Sequence, residues 1–535
     1  TDKDGRFSID QLCPGDIELH ISHLNCEHLH VHLTLSRDTF VRLYIRHIDQ
    51  EFEGARIVSK KSSSDAHDRV DKSRIENTRS AGISQVFAEL GGVALMKTGN
   101  SISKPVVNGL HSNRVLIINN GIRQEGQNWG MEHAPEIDPF LASEVALIKG
   151  AQSLRYGADG IGGILLVNPA SVFREKSGQL KGEFNLVGFS NGRGGIASVL
   201  AGYKVSDKLP LYIKLNATFK KAGNTNAPGY YLDNTGLNEH NFSVNLGYGK
   251  NKWRSEFFYS QFNTKIGLFT GSQIGNLSDL QIAMQRERPI TSDKFSYSLD
   301  RPYQQAKHQL YKWKSNWYKD PLNSFEMVLS YQRNHRQEYD VLRSASSSKS
   351  PAFDYSIGTW MADIVWTRQD VLGFKIQSGL FGLHQSNAYE GRYFIPGFYQ
   401  NSLAQYIIAE RKHHNKATEI SIRHDTRLFD LYLWNNSQLQ IENKRYDGFS
   451  GLIRQSFTLN PRHKVAYIVS SSWRPAAPNE LYANGVHQGI AAIEIGDPGM
   501  KRERSYNLSL EHIIETKQLY VGYELIAKYI DGFIN

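Results

Sequence analysis

The glycine-rich segment 149–169 is the first place where residue types and spacing could do chemistry. It reads KGAQSLRYGADGIGGILLVNP, and a lysine beside closely spaced glycines can cradle a nucleotide phosphate. A phosphate-binding loop, however, has its lysine and a serine or threonine directly after the last glycine, followed by a helix. Here Lys149 precedes the glycines, and the apolar run after Gly163 is typical of a strand. This order argues against a mononucleotide or dinucleotide site and favours glycines that permit tight turns and close packing.

Histidines near the start of the chain are a second candidate for chemistry. Several alternate with apolar residues, so their imidazoles share one face of a predicted strand, at a spacing that can hold Zn²⁺ or Cu²⁺. A solvated strand face is the alternative interpretation of the same pattern. The candidate metal ligands are His20, Cys26, His28, His30 and His32.

Composition and charge narrow the possible functions. The net charge is +9, from 62 Lys and Arg against 53 Asp and Glu, but the basic residues are dispersed, so we expect no nucleic-acid partner. The sequence contains no grouping of nucleophile, base and orienting residue, so we do not expect an enzyme. No apolar run approaches the ~20 residues of a membrane-spanning helix. Membrane β-strands stay possible, because they alternate apolar and polar residues.

Alternating segments joined by hairpin turns dominate the chain after residue 178. In residues 309–317, for example, Tyr311 and Trp313 share one face, whereas Lys312 and Lys314 share the other. Short turns alternate with long loops such as 264–303, an asymmetry that is typical of outer-membrane barrels. The pattern predicts about fifteen strands. A soluble propeller or sandwich is the alternative, but no blade-length repeat is present.

Four regions position these candidate residues. The alternating pattern of residues 1–46 predicts part of a β-sandwich. The polar, Ser-rich composition of residues 47–75 predicts a linker. Residues 76–172 mix helical and strand patterns and predict a compact α+β unit. Residues 173–535 predict a barrel wall. The predicted fold class is mainly β: a transmembrane antiparallel β-barrel with an α+β domain and a partial N-terminal β-sandwich.

Several motifs carry a family resemblance. The segment EVALIKGAQSLRYGADGIGGILLVNP resembles the end of the plug domain of TonB-dependent outer-membrane receptors, and NGLHSNRVLIINNGIRQEG and SQVFAELGGVAL resemble earlier parts of the plug. WRPAAPNELYANGVHQG and GDPGMKRERSYNLSLEH resemble motifs on late barrel strands of the same family. Residues 1–46 look like the second half of the carboxypeptidase-regulatory-like domain that some of these receptors carry before the plug.

The resemblance implies a plug inside a barrel of 22 strands, so the chain is expected to be truncated at both ends, with C-terminal strands missing. It implies a location in the outer membrane of a Gram-negative cell. The implied partners are outer-membrane lipid, a TonB-type energy-coupling protein in the periplasm, a small-molecule or metal-complex substrate and, for some members, a surface lipoprotein. No cofactor is required, although a metal or haem could be bound as cargo.

The resemblance also implies roles for individual residues. The coupling protein pairs with a short segment ahead of the plug, here centred on Arg56, Ile57 and Val58. These residues could instead simply end the front domain. Plug-to-barrel contacts, which could also be ordinary solvated charges, are assigned to Arg155, Glu480 and Glu503.

Four further residues are candidates for facing the substrate. Trp129, Glu132 and His133 could face the external cavity or belong to a packed plug loop. His487 lies between the two late barrel motifs, where haem-uptake members carry an axial ligand, although members that do not bind haem share the motif.

The sequence therefore favours an importer of a scarce metal complex, such as a siderophore, haem or a metal ion. An importer of an oligosaccharide or peptide is the alternative, and a surface adhesin or assembly component is a third hypothesis. The plug motifs argue against the third, because a scaffold barrel has no need of a plug.

Overall fold

The computed structural model describes residues 7–10, 12–21, 29–44, 67–99, 101–130, 133–272, 277–341, 350–435, 438–487, 492–516 and 518–534. In these ranges the chain forms a front sheet, a small mixed sheet that we call the plug, and a large sheet that we call the wall. No helix in the same ranges is long and apolar enough to cross a membrane.

The front sheet is a pair of antiparallel strands, β1 (Gly15–Ile21) and β2 (Leu29–Leu35). Leu29, Val31 and Leu33 are half-buried on one face, and the residues between them are exposed on the other. The register places His20 opposite His30. The alternation that predicts these strands therefore also decides which side chains meet across the pair.

The plug is built around a five-stranded sheet, and a hairpin and two short helices cover it. Its buried core includes Phe87, Ile117, Val145 and Leu165. The sheet order is β3-β8-β9-β6-β7, with β6 and β9 parallel. The elements are β3 (His67–Arg69), α1 (Lys72–Thr78), α2 (Ile83–Phe87), β4 (Val93–Gly99), β5 (Ile102–Val107), β6 (Val115–Asn119), β7 (Ile122–Arg123), β8 (Ala142–Ile148) and β9 (Gly163–Pro169).

The plug begins earlier than the sequence predicts. Residues 47–75 are predicted as linker, but β3 pairs with β8, with Asp68 opposite Leu147, and Ile75 of α1 lies in the plug core. The prediction is wrong for residues 67–75. A three-residue edge strand and a helix with one buried side chain are too short to show periodicity in the sequence.

The wall is an antiparallel sheet of fifteen strands over the described ranges. This count and the mainly β fold class confirm the prediction. The first and last strands, β10 and β28, do not pair with each other in these ranges. The sheet strands are β10 (Leu180–Phe189), β11 (Gly194–Lys204), β12 (Leu211–Ala222), β15 (Leu237–Lys250), β16 (Trp253–Gly267), β17 (Tyr303–Asp320), β18 (Asn323–Tyr339), β19 (Phe353–Val371), β20 (Phe374–Gly391), β21 (Gly397–His413), β22 (Lys416–Asn435), β23 (Gln438–Asn460), β24 (His463–Arg474), β27 (Glu503–Glu515) and β28 (Tyr520–Asp531).

The loops of the wall carry their own short elements. Turns such as 251–252, 321–322 and 372–373 join the strands at one end, which we call the short-turn end. Loops such as 268–302 and 475–502 lie at the opposite, long-loop end. The loop elements are β13 (Asn226–Ala227), β14 (Tyr230–Tyr231), α3 (Leu277–Met284), α4 (Pro478–Tyr482), β25 (Asn484–His487) and β26 (Ala492–Ile495).

The wall has an apolar outer face and a polar inner face. Along β22, Ile420, Ile422 and Leu428 are exposed, whereas the intervening polar side chains are buried. This inversion of the usual pattern fits a sheet that faces lipid outside and protein inside. The buried polar residues of β22 are Glu419, Ser421, Arg423, Asp425 and Arg427.

The wall curls around the plug. Plug residue Arg79 pairs with Glu183 on the first wall strand, and plug residue Lys149 pairs with Glu524 on the last. Contacts at both ends of the wall sheet require it to surround the plug.

Candidate functional site

The glycine-rich segment 149–169 runs through the centre of the plug sheet. Its second half is β9, which lies between β6 and β8. The backbone N–H of Gly162 donates to the carbonyl of Arg114 at 2.7 Å. A Cβ added at Gly162 would lie 3.0 Å from that carbonyl oxygen and 3.0 Å from Leu110 Cβ. Glycine is therefore needed here for close approach, and this approach fixes the position of Arg114.

Asp159 of the same segment is held between the plug and the wall. Arg123 of the plug donates to its carboxylate at 2.5 Å, and Arg427 of the wall donates at 2.8 Å through Nη1. Asp159 is 4% exposed. Burial alone would raise the pKa of this carboxyl, but the two guanidinium groups outweigh burial and hold the pKa well below its usual range. The carboxylate is therefore charged at every physiological pH.

A second buried carboxylate, Glu503, is fully enclosed at the long-loop end. It accepts from Arg114 of the plug, from Arg474 Nε at 2.6 Å and from the backbone N–H of Ile534 at 2.6 Å. Arg474 also donates to both oxygens of Glu480, at 2.7 and 2.8 Å. Glu480, Arg474 and Glu503 of the wall thus form a series of alternating charges, and the last of them binds Arg114 of the plug.

The three predicted plug-to-barrel residues lie in two separate places. Glu480 accepts from plug residue Asn113 at 3.2 Å, close to Glu503. Arg155 instead reaches the middle of the wall, where it donates to Asp363 at 2.8 and 2.9 Å and pairs with Glu326. Each of the three residues bridges the plug and the wall, but Arg155 does not meet either glutamate.

A cleft opens between the plug and the wall at the long-loop end. Its empty volume is about 1060 Å³, including space that is open to solvent. Trp129, Tyr355 and Phe398 supply aromatic walls, and Asp159 with its arginine partners lines the floor. Such a mixture of aromatic and charged groups can hold a ligand that is both apolar and polar. The charged lining residues are Arg123, Glu125, Asp159, Arg423, Asp425, Arg427 and Arg474.

A larger cavity lies on the other side of the plug, at the short-turn end. Its empty volume is about 2380 Å³, and its lining includes Trp253, Lys312 and Lys314 of the wall. Tyr156 lines both this cavity and the cleft. We call residues 155–159 the partition, because Arg155 lines the larger cavity, Gly157 and Asp159 line the cleft, and Tyr156 lines both.

A comparison with known protein families matches most of the plug. Residues 59–164 match the family model of the TonB-dependent Receptor Plug Domain. The plug is therefore a TonB-dependent receptor plug domain, and we refer to the chain below as the receptor.

Solved structures share the fold of most of this chain. The copper transporter OprC matches with a TM-score of 0.67 and 13% identity, over 88% of this chain and 72% of that chain. The Serratia marcescens hemophore receptor HasR, in complex with its hemophore HasA and heme, matches with a TM-score of 0.67 and 13% identity, over 88% and 73%. The ferric yersiniabactin uptake receptor FyuA from Yersinia pestis gives 0.62 and 15%, over 87% and 72%. At these identities the likeness shows the fold.

The residues predicted to face the substrate lie in different places in the structure. Trp129 lines the cleft. His133 is fully buried behind it, where Nε2 lies 2.9 Å from a carboxylate oxygen of Glu338 and the ring packs on Trp129 at 4.1 Å. His133 therefore packs against Trp129 and does not line the cleft itself. Glu132 lies outside the described residues, and so does the side chain of His487, whose backbone ends β25.

The residues predicted to meet the coupling protein, Arg56, Ile57 and Val58, lie outside the described residues. So do Cys26 and His28 of the predicted metal ligands. The other three predicted ligands, His20, His30 and His32, lie on the exposed face of the front sheet around Glu18, which sequence reasoning missed.

Sequence reasoning also missed most of the charges that join plug and wall. Asp159 lies inside the quoted glycine segment, and its partner Arg427 lies in SIRHDTR of β22. The charges Arg423, Asp425 and Arg427 follow at every second position, so they share one face of a wall strand. Charged side chains on a membrane strand face the interior of the barrel, so this spacing could have identified the three residues as inward-facing.

Proposed function

We propose that the receptor imports a metal complex, such as a siderophore, haem or a metal ion, across the outer membrane of a Gram-negative cell. A periplasmic energy-coupling protein of the TonB type drives the import. The observation that carries the proposal is the cleft at the long-loop end, whose floor is a plug segment that also borders the larger cavity behind it.

The geometry supports directional transport. Long loops of outer-membrane barrels lie outside the cell and short turns lie in the periplasm, so the cleft faces the medium and the larger cavity faces the periplasm. A ligand bound against Trp129 lies directly over the partition of residues 155–159. Displacement of this segment would connect the two spaces, and its return would close them.

The structures with the same fold support a metal-containing cargo. Their names record a copper transporter, a hemophore receptor bound to heme and a ferric yersiniabactin uptake receptor. The aromatic rings of the cleft suit a complex with flat organic groups, because rings stack on ring faces.

Growth on defined nutrient sources tests the proposal. A strain that lacks the receptor is complemented with the wild type or with Trp129→Ala and grown on iron, zinc, copper, haem and glycan sources. We expect the wild type to restore growth on one limiting metal source and Trp129→Ala to lower ligand affinity about tenfold or more, since it removes the aromatic wall of the cleft.

The matched control is Trp434→Ala, which removes an exposed tryptophan from the outer face of β22 and should leave uptake unchanged. A growth defect confined to glycans would contradict the metal-complex proposal and favour the oligosaccharide alternative. Equal uptake by the two tryptophan variants would show that the cleft is not the substrate site.

Energy coupling is tested separately, ahead of the plug. We expect Ile57→Pro to abolish uptake while leaving ligand binding to whole cells unchanged, because proline removes a backbone N–H that strand pairing requires. Radiolabelled-ligand binding and uptake are measured on the same cells. Uptake at the wild-type rate would remove the segment around Ile57 from the proposed mechanism.

A further inference from the structure

The exposed face of the front sheet carries a cluster of potential metal ligands that the transport proposal does not use. In the register of β1 and β2, His20 lies opposite His30, and Glu18 lies opposite His32. All four side chains project from the same face, because they occupy alternate positions on each strand. Two adjacent rungs of the sheet thus bring three imidazoles and one carboxylate together.

The distances in this cluster match those of a metal coordination sphere. His20 Nε2 lies 3.3 Å from one Glu18 oxygen, and His30 Nδ1 and His32 Nε2 lie 3.4 and 3.6 Å from the other. Ligand atoms of Glu18, His20 and His30 all lie within 4.8 Å of one another. Tetrahedral Zn²⁺, with bonds near 2.0–2.2 Å, holds its ligand atoms about 3.3 Å apart. Small side-chain rotations would let these three groups surround an ion, and His32, which lies outside this set of three, would rotate further to become the fourth ligand.

We propose that Glu18, His20, His30 and His32 form a surface binding site for a divalent transition-metal ion of the Zn²⁺ or Cu²⁺ class. Imidazole nitrogen suits both ions, and one carboxylate completes a set of four ligands. The site is independent of the proposed import function, because it belongs to the front sheet and shares no residue with the cleft. A negative result for this metal site would therefore leave the import proposal untouched, and the reverse also holds.

The fold of the strand pair supports the site. The opposite face holds half-buried Leu19 opposite Val31, and the register of the two strands fixes the spacing of the backbone positions that carry the ligands. The ligands consequently start from a fixed backbone separation, which reduces the ordering required on binding. Binding would link the two strands and stabilise the front sheet by mass action.

The test uses the full chain in detergent, titrated with Zn²⁺ in competition with a chromophoric chelator. The chain has 19 histidines, so weak binding elsewhere is expected, and the readout is the loss of one tight equivalent. We expect the double variant His20→Ala/His30→Ala to lose that equivalent and Glu18→Gln to weaken it about tenfold. Trp434→Ala, on the outer face of β22, should bind Zn²⁺ as tightly as the wild type.

Asp16→Asn is the matched control. Asp16 lies on the same face one rung away, and its carboxylate accepts a hydrogen bond from Thr34 at 2.5 Å. It removes one acidic group from the same strand without touching the ligand set, so its Zn²⁺ affinity should equal that of the wild type. An equal loss in Asp16→Asn and Glu18→Gln would overturn the proposal, because it would indicate general electrostatic attraction.

A spectroscopic readout does not depend on affinity. With one equivalent of Cu²⁺, the electron paramagnetic resonance spectrum of the wild type should show coupling to two or three imidazole nitrogens. The conservative variant His30→Gln should lose one of them while the chain stays folded. A Cu²⁺ spectrum that is identical in wild type, His30→Gln and the double alanine variant would overturn the site, as would the absence of a tight Zn²⁺ equivalent in the wild type.

Discussion

Glu503→Ala should loosen the plug at the long-loop end more than any other single substitution in the late wall motifs. The carboxylate is fully buried and accepts from Arg114, Arg474 and the N–H of Ile534. Alanine leaves the buried guanidinium group of Arg114 without its carboxylate, whereas Arg474 keeps its bonds to Glu480. Removing one partner from a buried ion pair costs about 3–5 kcal/mol.

The measurement is the urea concentration at which protease cleaves the plug of the detergent-solubilised receptor. We expect the Glu503→Ala midpoint to fall clearly, and the double variant Glu503→Ala/Arg114→Met to recover part of the loss, because it removes the guanidinium group that has lost its carboxylate.

Glu515→Ala is the matched control for this prediction. Glu515 ends the same strand at the short-turn end and pairs with Lys464 at 3.4 Å, with both side chains partly exposed. Its loss should cost at most about 1 kcal/mol. If Glu503→Ala and Glu515→Ala shift the midpoint equally, the buried cluster does not hold the plug.

Asp159→Ala should open an ion leak through the receptor. Asp159 is the carboxylate that Arg123 of the plug and Arg427 of the wall share, and alanine would leave Arg123 with Glu125 and Arg427 with Asp425, with no carboxylate joining plug and wall at this point. The substitution falls in the partition of residues 155–159, between the cleft and the larger cavity. A loss of about 3–5 kcal/mol of plug anchoring there should raise the conductance of the receptor in planar lipid bilayers above that of the wild type.

Asp207→Ala serves as the control, since Asp207 pairs with Lys204 at an exposed turn of the short-turn end. Its conductance should equal that of the wild type. Because the pKa of Asp159 is lowered in the fold, its contribution is present above the unfolded pKa of about 4 and lost only as the pH falls towards the folded value. The wild-type receptor should therefore stay closed between about pH 5 and pH 8. A wild-type leak that appears in this range would contradict the assigned role of Asp159.

The wall could be predicted in some detail from the sequence, because period-two alternation is a local property. The strand with Tyr311 and Trp313 on one face and Lys312 on the other has those aromatic rings exposed and that lysine buried. The motifs of the glycine-rich segment likewise predict the plug, which the family match confirms. The shared face of the front-sheet histidines follows from the same alternation, although the strand register was needed to place Glu18 beside them.

The pairing of charges could not be predicted in the same way. Arg155 and Glu503 were both expected at the plug–wall boundary, yet Arg155 meets Asp363, 208 positions later in the chain, and Glu503 meets Arg114, 389 positions earlier. Nothing in a strand pattern indicates which of many inward-facing charges lies opposite a given plug residue.

Alternation, turn spacing and glycine motifs thus settle the class of fold, the two faces of each wall strand and the family, because each depends on near neighbours in the chain. The partition of residues 155–159, the anchoring of Asp159 and Glu503, and the cleft beside Trp129 exist only once the wall has curled around the plug. Curling brings distant charges within hydrogen-bonding distance in a space that excludes water, and their interaction energy depends on that distance and that exclusion.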